Sequence, residues 1–182
     1  HFVDEPVSEW ETIQDDGKSI LELFYGDKEK YSFTFQVLAY ITRLRLLLNA
    51  IEKNPNDIII CERSIFTDKF VFAKMLRQQG YIDNIQWKTY NYWFDTFKDK
   101  VKADYIVYVN TEPRICFERI KKRNRNGESE IPIDYLNHCH TLHQEWLCQE
   151  SSEHKLVTFN GNIEFNGNNQ TEYTDNLEGL LI

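Results

Sequence analysis

The sequence predicts an α/β fold built on a parallel sheet, and three observations carry that prediction. Short apolar segments of strand length alternate with longer stretches whose apolar residues recur every three or four positions. The segment 104–110 alternates and then turns wholly apolar, as a strand covered on both faces does. The apolar run 58–61 ends in an acid and a base side by side, Glu62 and Arg63, before Ser64 opens a helical pattern. Ligands of open α/β sheets bind at such carboxyl ends.

Taken in order, residues 2–5 read as a strand that ends in the carboxylate of Glu5 and is stopped by Pro6. Residues 20–25 form a short amphipathic helix, and 26–30 a charged turn. A long helix spans 32–52, with Phe35, Leu38, Ile41, Leu44 and Leu48 at helical steps. The run Asn54-Pro55-Asn56-Asp57 breaks it. Residues 58–61 read as a buried strand, and one helix over 64–79 is closed by Gly80. Asp83 caps a helix that runs to about Lys100. The buried strand 104–110 precedes a helix with Pro113 near its start, where proline is tolerated. A polar loop, 124–130, leads to a helix from Pro132 to about Cys148. Residues 155–159 make a last strand, 160–169 an Asn/Gly-rich loop and 171–182 a weak terminal helix. No repeat interrupts this order, and a single domain over 1–182 is expected.

The chain of 182 residues is long enough to bury a substantial core. Its net charge of −8 argues against a nucleic-acid polymer as partner, since such proteins neutralise phosphates with a basic excess. The 14% aromatic share suits a pocket that stacks planar ligands, although an aromatic core gives the same figure. Cys61, Cys116, Cys139 and Cys148 lack paired spacing, so a reducing, intracellular setting is expected. No apolar run approaches the ~20 residues of a membrane span, and no secretory signal is visible. The chain opens on His1 and enters a strand at once, so a further segment upstream is expected.

Several side chains are candidates for chemistry. A carboxylate at a strand end, such as Glu5, can accept a proton from a hydroxyl, and it can equally be a solvated surface group. Glu62 and Arg63 can hold a metal and a phosphoryl group. Arg119, Lys121, Lys122, Arg123 and Arg125 form the dense basic cluster of the chain. Arg119 and Arg123 share a helix face, where a solvated helix end is the alternative. Gln36 is an amide within an apolar stripe and offers a donor and an acceptor together. Arg43 lies two turns further along the same face, and Asp68 on the next helix is its candidate partner. Phe35 and Phe72 suit either core packing or a stacking pocket. His140, His143 and Glu145 imitate a metal site but lack a fourth ligand at suitable spacing.

The pattern Glu5-Pro6-Val7-Ser8-Glu9-Trp10, the thirteen residues from Cys61 to Ala73, and Arg119-x-x-x-Arg123-x-Arg125 together resemble the deoxyribonucleoside kinase family, nearest its deoxycytidine/deoxyguanosine branch. The resemblance runs from Phe2 to about Phe159. It includes a Tyr-Leu-x-x-x-His-x-x-His-x-x-Trp-Leu helix that matches Tyr135 to Leu147. It implies a P-loop-kinase-like, three-layer α/β/α fold with a parallel sheet and a helical lid over 119–131. The implied reaction moves the γ-phosphoryl group of ATP, or of another nucleoside triphosphate, to the 5′-hydroxyl of a deoxyribonucleoside. By resemblance Glu5 is the base, Arg63 contacts the 5′-oxygen and the phosphoryl group, and Glu62 helps to hold Mg²⁺. Trp10, Leu21, Phe24, Phe35, Gln36, Ala39 and Phe72 line the nucleoside pocket. Arg43 and Asp68 address the base and favour deoxycytidine and deoxypurines over thymidine. Tyr25 and Glu128 reach the sugar 3′-hydroxyl, and Arg119, Arg123 and Arg125 the donor phosphates. The resemblance also implies a homodimer and a cytoplasmic setting, with a mitochondrial one left open by the expected upstream segment.

The family's Gly-x-x-x-x-Gly-Lys-Ser/Thr loop is due about two dozen residues before Glu5. None of the seven glycines sits in such a motif, and Asn168 follows Gly167 where a lysine is needed. A chain without that loop and its strand is expected to be inactive as it stands. The rival expectation is a catalytically inactive, nucleoside-binding or scaffolding relative. A nucleoside monophosphate kinase shares the fold logic, but Tyr25, Gln36, Arg43 and Asp68 match a nucleoside pocket.

Overall fold

Parallel pairing joins β1 (Phe2–Val3) to β4 (Ile60–Cys61) and β5 (Tyr105–Asn110) to β6 (Lys155–Asn160), as the alternation of segments predicts. The fold is α/β. The structure is a computed structural model and describes residues 1–124, 131–150 and 155–164. It groups into one unit of His1–Lys102 with Thr141–Trp146, and another of Ala103–His140 with Leu147–Ile182.

In the first unit β1 runs into α1 (Val7–Thr12) across Pro6. A hairpin follows, β2 (Gln14–Asp15) against β3 (Lys18–Ser19). Its turn residues, Asp16 and Gly17, both have positive φ, which the tight two-residue hairpin turn requires. The Asp-Gly pair is the signal in the sequence for this turn. Ser19 then caps α2 (Ile20–Gly26): its side chain accepts from the Glu22 backbone N–H, and Glu22 reciprocates on the Ser19 N–H. Asp27 caps α3 (Lys28–Lys53) by accepting from the Lys30 N–H. The expected charged turn over 26–30 is therefore cut to Asp27, and the long helix starts four residues before the expected Ser32.

Helix α3 is the spine of this unit. Phe35, Gln36, Ala39, Tyr40, Arg43, Leu44 and Leu47 lie buried along it. Against it pack Trp10, Ile20, Phe24, Ile65, Leu76, Tyr90 and Phe94 within one hydrophobic cluster. The helix expected over 64–79 is not uniformly α. It comprises α4 (Ile65–Thr67), a π-helical segment Asp68–Ala73 and α5 (Lys74–Gln78). Wider turns of this kind re-aim side chains and recur beside functional sites. Gly80, at φ +85°, ends the run as expected. Asp83 forms a capping box with Gln86 at the start of α6 (Asn84–Phe97). A 3₁₀ turn carries this helix to Lys100. Tyr90 and Phe94 of α6 face the core, whereas Tyr92 and Trp93 are exposed.

The strand expected to be buried over 58–61 is only two residues long, and Ile58 and Ile60 are 55% and 51% exposed. Among the described residues β4 pairs with β1 alone. A parallel strand is buried only when it is covered on both faces.

In the second unit β5 and β6 pair from Tyr105↔Lys155 to Asn110↔Asn160. Val107 and Val109 are exposed, so β5 is also less buried than its apolar run implies, for the same reason. Pro113 opens α7 (Pro113–Arg123), and α8 (Ile133–Glu150) follows. After β6 the chain turns at Gly161, where a Cβ would lie 2.0 Å from Thr111 Oγ1 and 2.8 Å from Val109 Cγ1. Only glycine permits that approach. The terminal helix expected over 171–182 lies outside the described residues. None of the described helices is long and apolar enough to cross a membrane.

Candidate active site

Arg43 sits near the middle of α3 with its side chain only 5% exposed. Charge buried that deeply must be matched where it lies. Its Nε donates to Asp68 Oδ2 at 2.9 Å, one terminal nitrogen to the Glu62 carbonyl at 2.9 Å, and the other to Glu5 Oε1 at 2.9 Å. Thus one guanidinium ties the chain beyond β1, the chain beyond β4 and the first residue of the π-helical segment to the spine helix. Burial works against its charge, but Asp68 and Glu5 outweigh that, and its pKa lies above the ordinary arginine value. Burial also pushes the Asp68 carboxyl above its usual range, against the pull of Arg43.

Glu5 Oε1 receives a second guanidinium, from Arg63, at 2.8 Å. Two cations on one oxygen fix the carboxylate and leave Oε2 without a donor among the described residues. Arg63 adopts φ +62°, a left-handed conformation uncommon for a non-glycine residue. Its guanidinium lies over the Phe72 ring, 4.9 Å from the centroid. Glu62 has an exposed side chain at the carboxyl end of β4.

An aromatic wall continues from Arg43. Its guanidinium carbon is 6.0 Å from the Trp10 ring centroid. Trp10 meets Phe35 edge-on at 5.3 Å, Phe35 stacks on Phe24 at 4.8 Å, and Phe24 contacts Tyr25 at 5.1 Å. Trp10 Nε1 donates to Thr42 Oγ1 at 2.9 Å, and that hydroxyl bonds back to the Leu38 carbonyl. Leu21 packs on this cluster, and Ala39 lies buried in it. Gln36 is 4% exposed, and its Oε1 has no hydrogen-bond partner among the described residues. A buried acceptor left open costs roughly 1–3 kcal/mol, so it marks a place for a donor.

The first unit therefore joins Glu5, Trp10, Phe24, Tyr25, Phe35, Arg43, Arg63, Asp68 and Phe72 in one continuous chain of contacts. In the second unit Arg119 donates to the Gly161 carbonyl at 2.7 Å, and Arg123 ends α7. Arg125 and Glu128 lie outside the described residues. His143 packs edge-on to Phe72 at 6.4 Å, while Glu145 pairs with Lys74. No group of three or more metal-ligating side chains exists among the described residues.

Sequence reasoning missed Thr42, Tyr40 and Tyr90. A threonine amid an apolar stripe was the available signal for the first, since a buried hydroxyl needs a partner. Tyr40 is pushed up to about 12 by burial, then by Asp68 and Asp95. Burial and Asp68 raise Tyr90 well above its ordinary value, and its hydroxyl has no partner among the described residues. Nothing in their spacing connects these phenols to Asp68.

The family model described as deoxynucleoside kinase matches residues 1–180. A probable deoxycytidine kinase of fowlpox virus (strain NVSL) is 37% identical over 190 residues, covering 100% of this chain and 77% of the viral protein. The deoxycytidine kinase of Homo sapiens is 31% identical over 166 residues, covering 80% of this chain and 64% of the human one. A mitochondrial deoxyguanosine kinase of Xenopus laevis is 28% identical, with 84% and 64% covered. The match thus spans 64% of the length of each of these two vertebrate relatives.

Arg43→Met would leave Asp68 and Glu5 without their shared cation. The expected loss is about 3–5 kcal/mol of stability, measured by urea denaturation. Adding Asp68→Ala should recover part of it, because the uncompensated buried carboxylate is gone. A single variant as stable as the wild type would contradict the junction.

Proposed function

Because the chain belongs to the deoxynucleoside kinase family, we propose that it phosphorylates the 5′-hydroxyl of a deoxyribonucleoside with the γ-phosphoryl group of ATP. The observation that carries this reading is the pairing of a carboxylate pinned by two arginines with a buried, open amide beside an aromatic wall. The base lies between Phe35 and Phe72, and Gln36 takes its polar edge with one donor and one acceptor. Trp10, Leu21, Phe24 and Ala39 shape the pocket. Tyr25 and Glu128 bind the sugar 3′-hydroxyl.

Glu5 Oε2, the oxygen left open, takes the proton as the 5′-oxygen attacks phosphorus. Arg63 stands beside that carboxylate and neutralises charge on the transferring group, as do Arg119, Arg123 and Arg125 on the donor phosphates. Magnesium often uses only one or two protein carboxylates together with phosphate and water, so the exposed Glu62 fits it. When bound, the ion draws charge from the phosphate oxygens.

The ion pair Arg43–Asp68 sets base preference on this reading. It offers cytosine or a purine both donors and an acceptor, and it crowds the methyl group of thymine. We therefore place deoxycytidine, deoxyadenosine and deoxyguanosine above thymidine as substrates. Exposed Ile41 on α3, with Ile85, Tyr92 and Trp93 on α6, supplies apolar surface for a homodimer through helices.

The test is a substrate panel on the full-length protein. Higher kcat/KM for deoxycytidine or a deoxypurine than for thymidine is expected, and the reverse order would overturn the pocket assignment. Arg43→Met with Asp68→Ala should raise thymidine activity. Binding of nucleosides without phosphorylation would favour a non-catalytic, nucleoside-binding role. Light scattering at micromolar concentration should give twice the monomer mass, and a monomer would refute the helix-mediated dimer.

A further inference from the structure

We infer that Phe72 is a positioning residue for Arg63: its ring is the platform that keeps the Arg63 guanidinium in place through phosphoryl transfer. The inference rests on the kinase reading of the site and goes beyond a base-stacking role for Phe72.

Arg63 is poorly anchored by itself. Its side chain is 44% exposed, and its backbone occupies the left-handed region at φ +62°. Among the described residues two contacts hold the guanidinium, the 2.8 Å bond to Glu5 Oε1 and the Phe72 ring at 4.9 Å. The first contact weakens during the proposed reaction. Once Glu5 takes the 5′-hydroxyl proton it becomes a neutral acid, and its attraction for Arg63 falls. That is also when negative charge on the transferring phosphoryl group most needs a fixed cation. An aromatic face attracts a guanidinium without using its N–H donors, so Phe72 holds the group while its hydrogen bonds stay free for phosphoryl oxygens.

The ring is well placed for this task. It belongs to the π-helical segment Asp68–Ala73, and its neighbours Val71 and Ala73 are fully buried. Their burial fixes the backbone under Phe72. Asp68, at the start of the same segment, is held by Arg43. The His143 ring meets Phe72 edge-on. Phe72 thus stands on a locked stretch of helix, whereas Arg63 stands on a strained loop.

The test compares Phe72→Leu with Phe72→Tyr in the full-length protein. With leucine, kcat should fall on the order of tenfold for every accepted nucleoside, and tyrosine, which keeps the aromatic face, should lose much less kcat than leucine. In an Arg63→Lys background, Phe72→Leu should lower kcat much less, because the group it positions is gone. A raised KM with unchanged kcat, or an equal kcat loss in both backgrounds, would overturn the proposal. A second measurement does not need activity. In the NMR spectrum of the full-length protein, Phe72→Leu should shift the Arg63 side-chain N–H resonance by removing the ring current. An unmoved resonance would overturn the contact itself, and failure of phosphoryl transfer in the wild type would overturn only the kinase reading.

Discussion

A buried guanidinium is tolerable only where carboxylates meet it, and the first unit is arranged around that requirement at Arg43. Asp68, Glu5 and the Glu62 carbonyl converge on it from three separate stretches of chain. Each stretch carries a group assigned to the reaction. Removing the cation would strand charge at two points, while removing a peripheral aromatic would leave the junction standing. The position of Glu5 therefore depends on the long helix as much as on the strand that precedes it.

On the proposed reading, the same junction links recognition of the base to the chemistry. Arg43 touches Asp68, assigned to the base, and Glu5, assigned to the proton. Beside it, the amide of Gln36 is buried with an open acceptor, a cost that a bound base edge would offset. The aromatic wall from Tyr25 to Trp10 supplies stacking surface, and a buried hydrogen bond to Thr42 anchors its Trp10 end. These features lie in one unit, built largely from short-range helix packing and one pair of parallel strands.

Much of this was legible in the residues. The three- and four-residue spacing of apolar side chains located α3, and Asp83 marked the start of α6. The Arg43–Asp68 pair was expected from the place of Arg43 two turns beyond Gln36 and from the family resemblance. Other parts had no local signal. The π-helical segment differs from an α-helix by a fraction of a residue per turn, which hydrophobic periodicity over six residues does not resolve. The bonds of Arg43 and Arg63 to Glu5 span 38 and 58 positions, and no spacing rule reaches that far. The apolar runs at β4 and β5 predicted buried strands, but burial depends on neighbouring strands rather than on the run itself. Glu128 and Arg125, which the family resemblance places at the sugar and the phosphates, lie outside the described residues.

The role of Glu5 is where structure and chemistry meet most directly. The decisive measurement compares nucleoside affinity and turnover in Glu5→Gln, using the full-length protein. The amide keeps the shape of the side chain but accepts no proton at the working pH. Turnover should drop by roughly 10²-fold or more while nucleoside affinity changes little. Wild-type turnover in this variant would remove Glu5 from the reaction and contradict the account built on its two arginines.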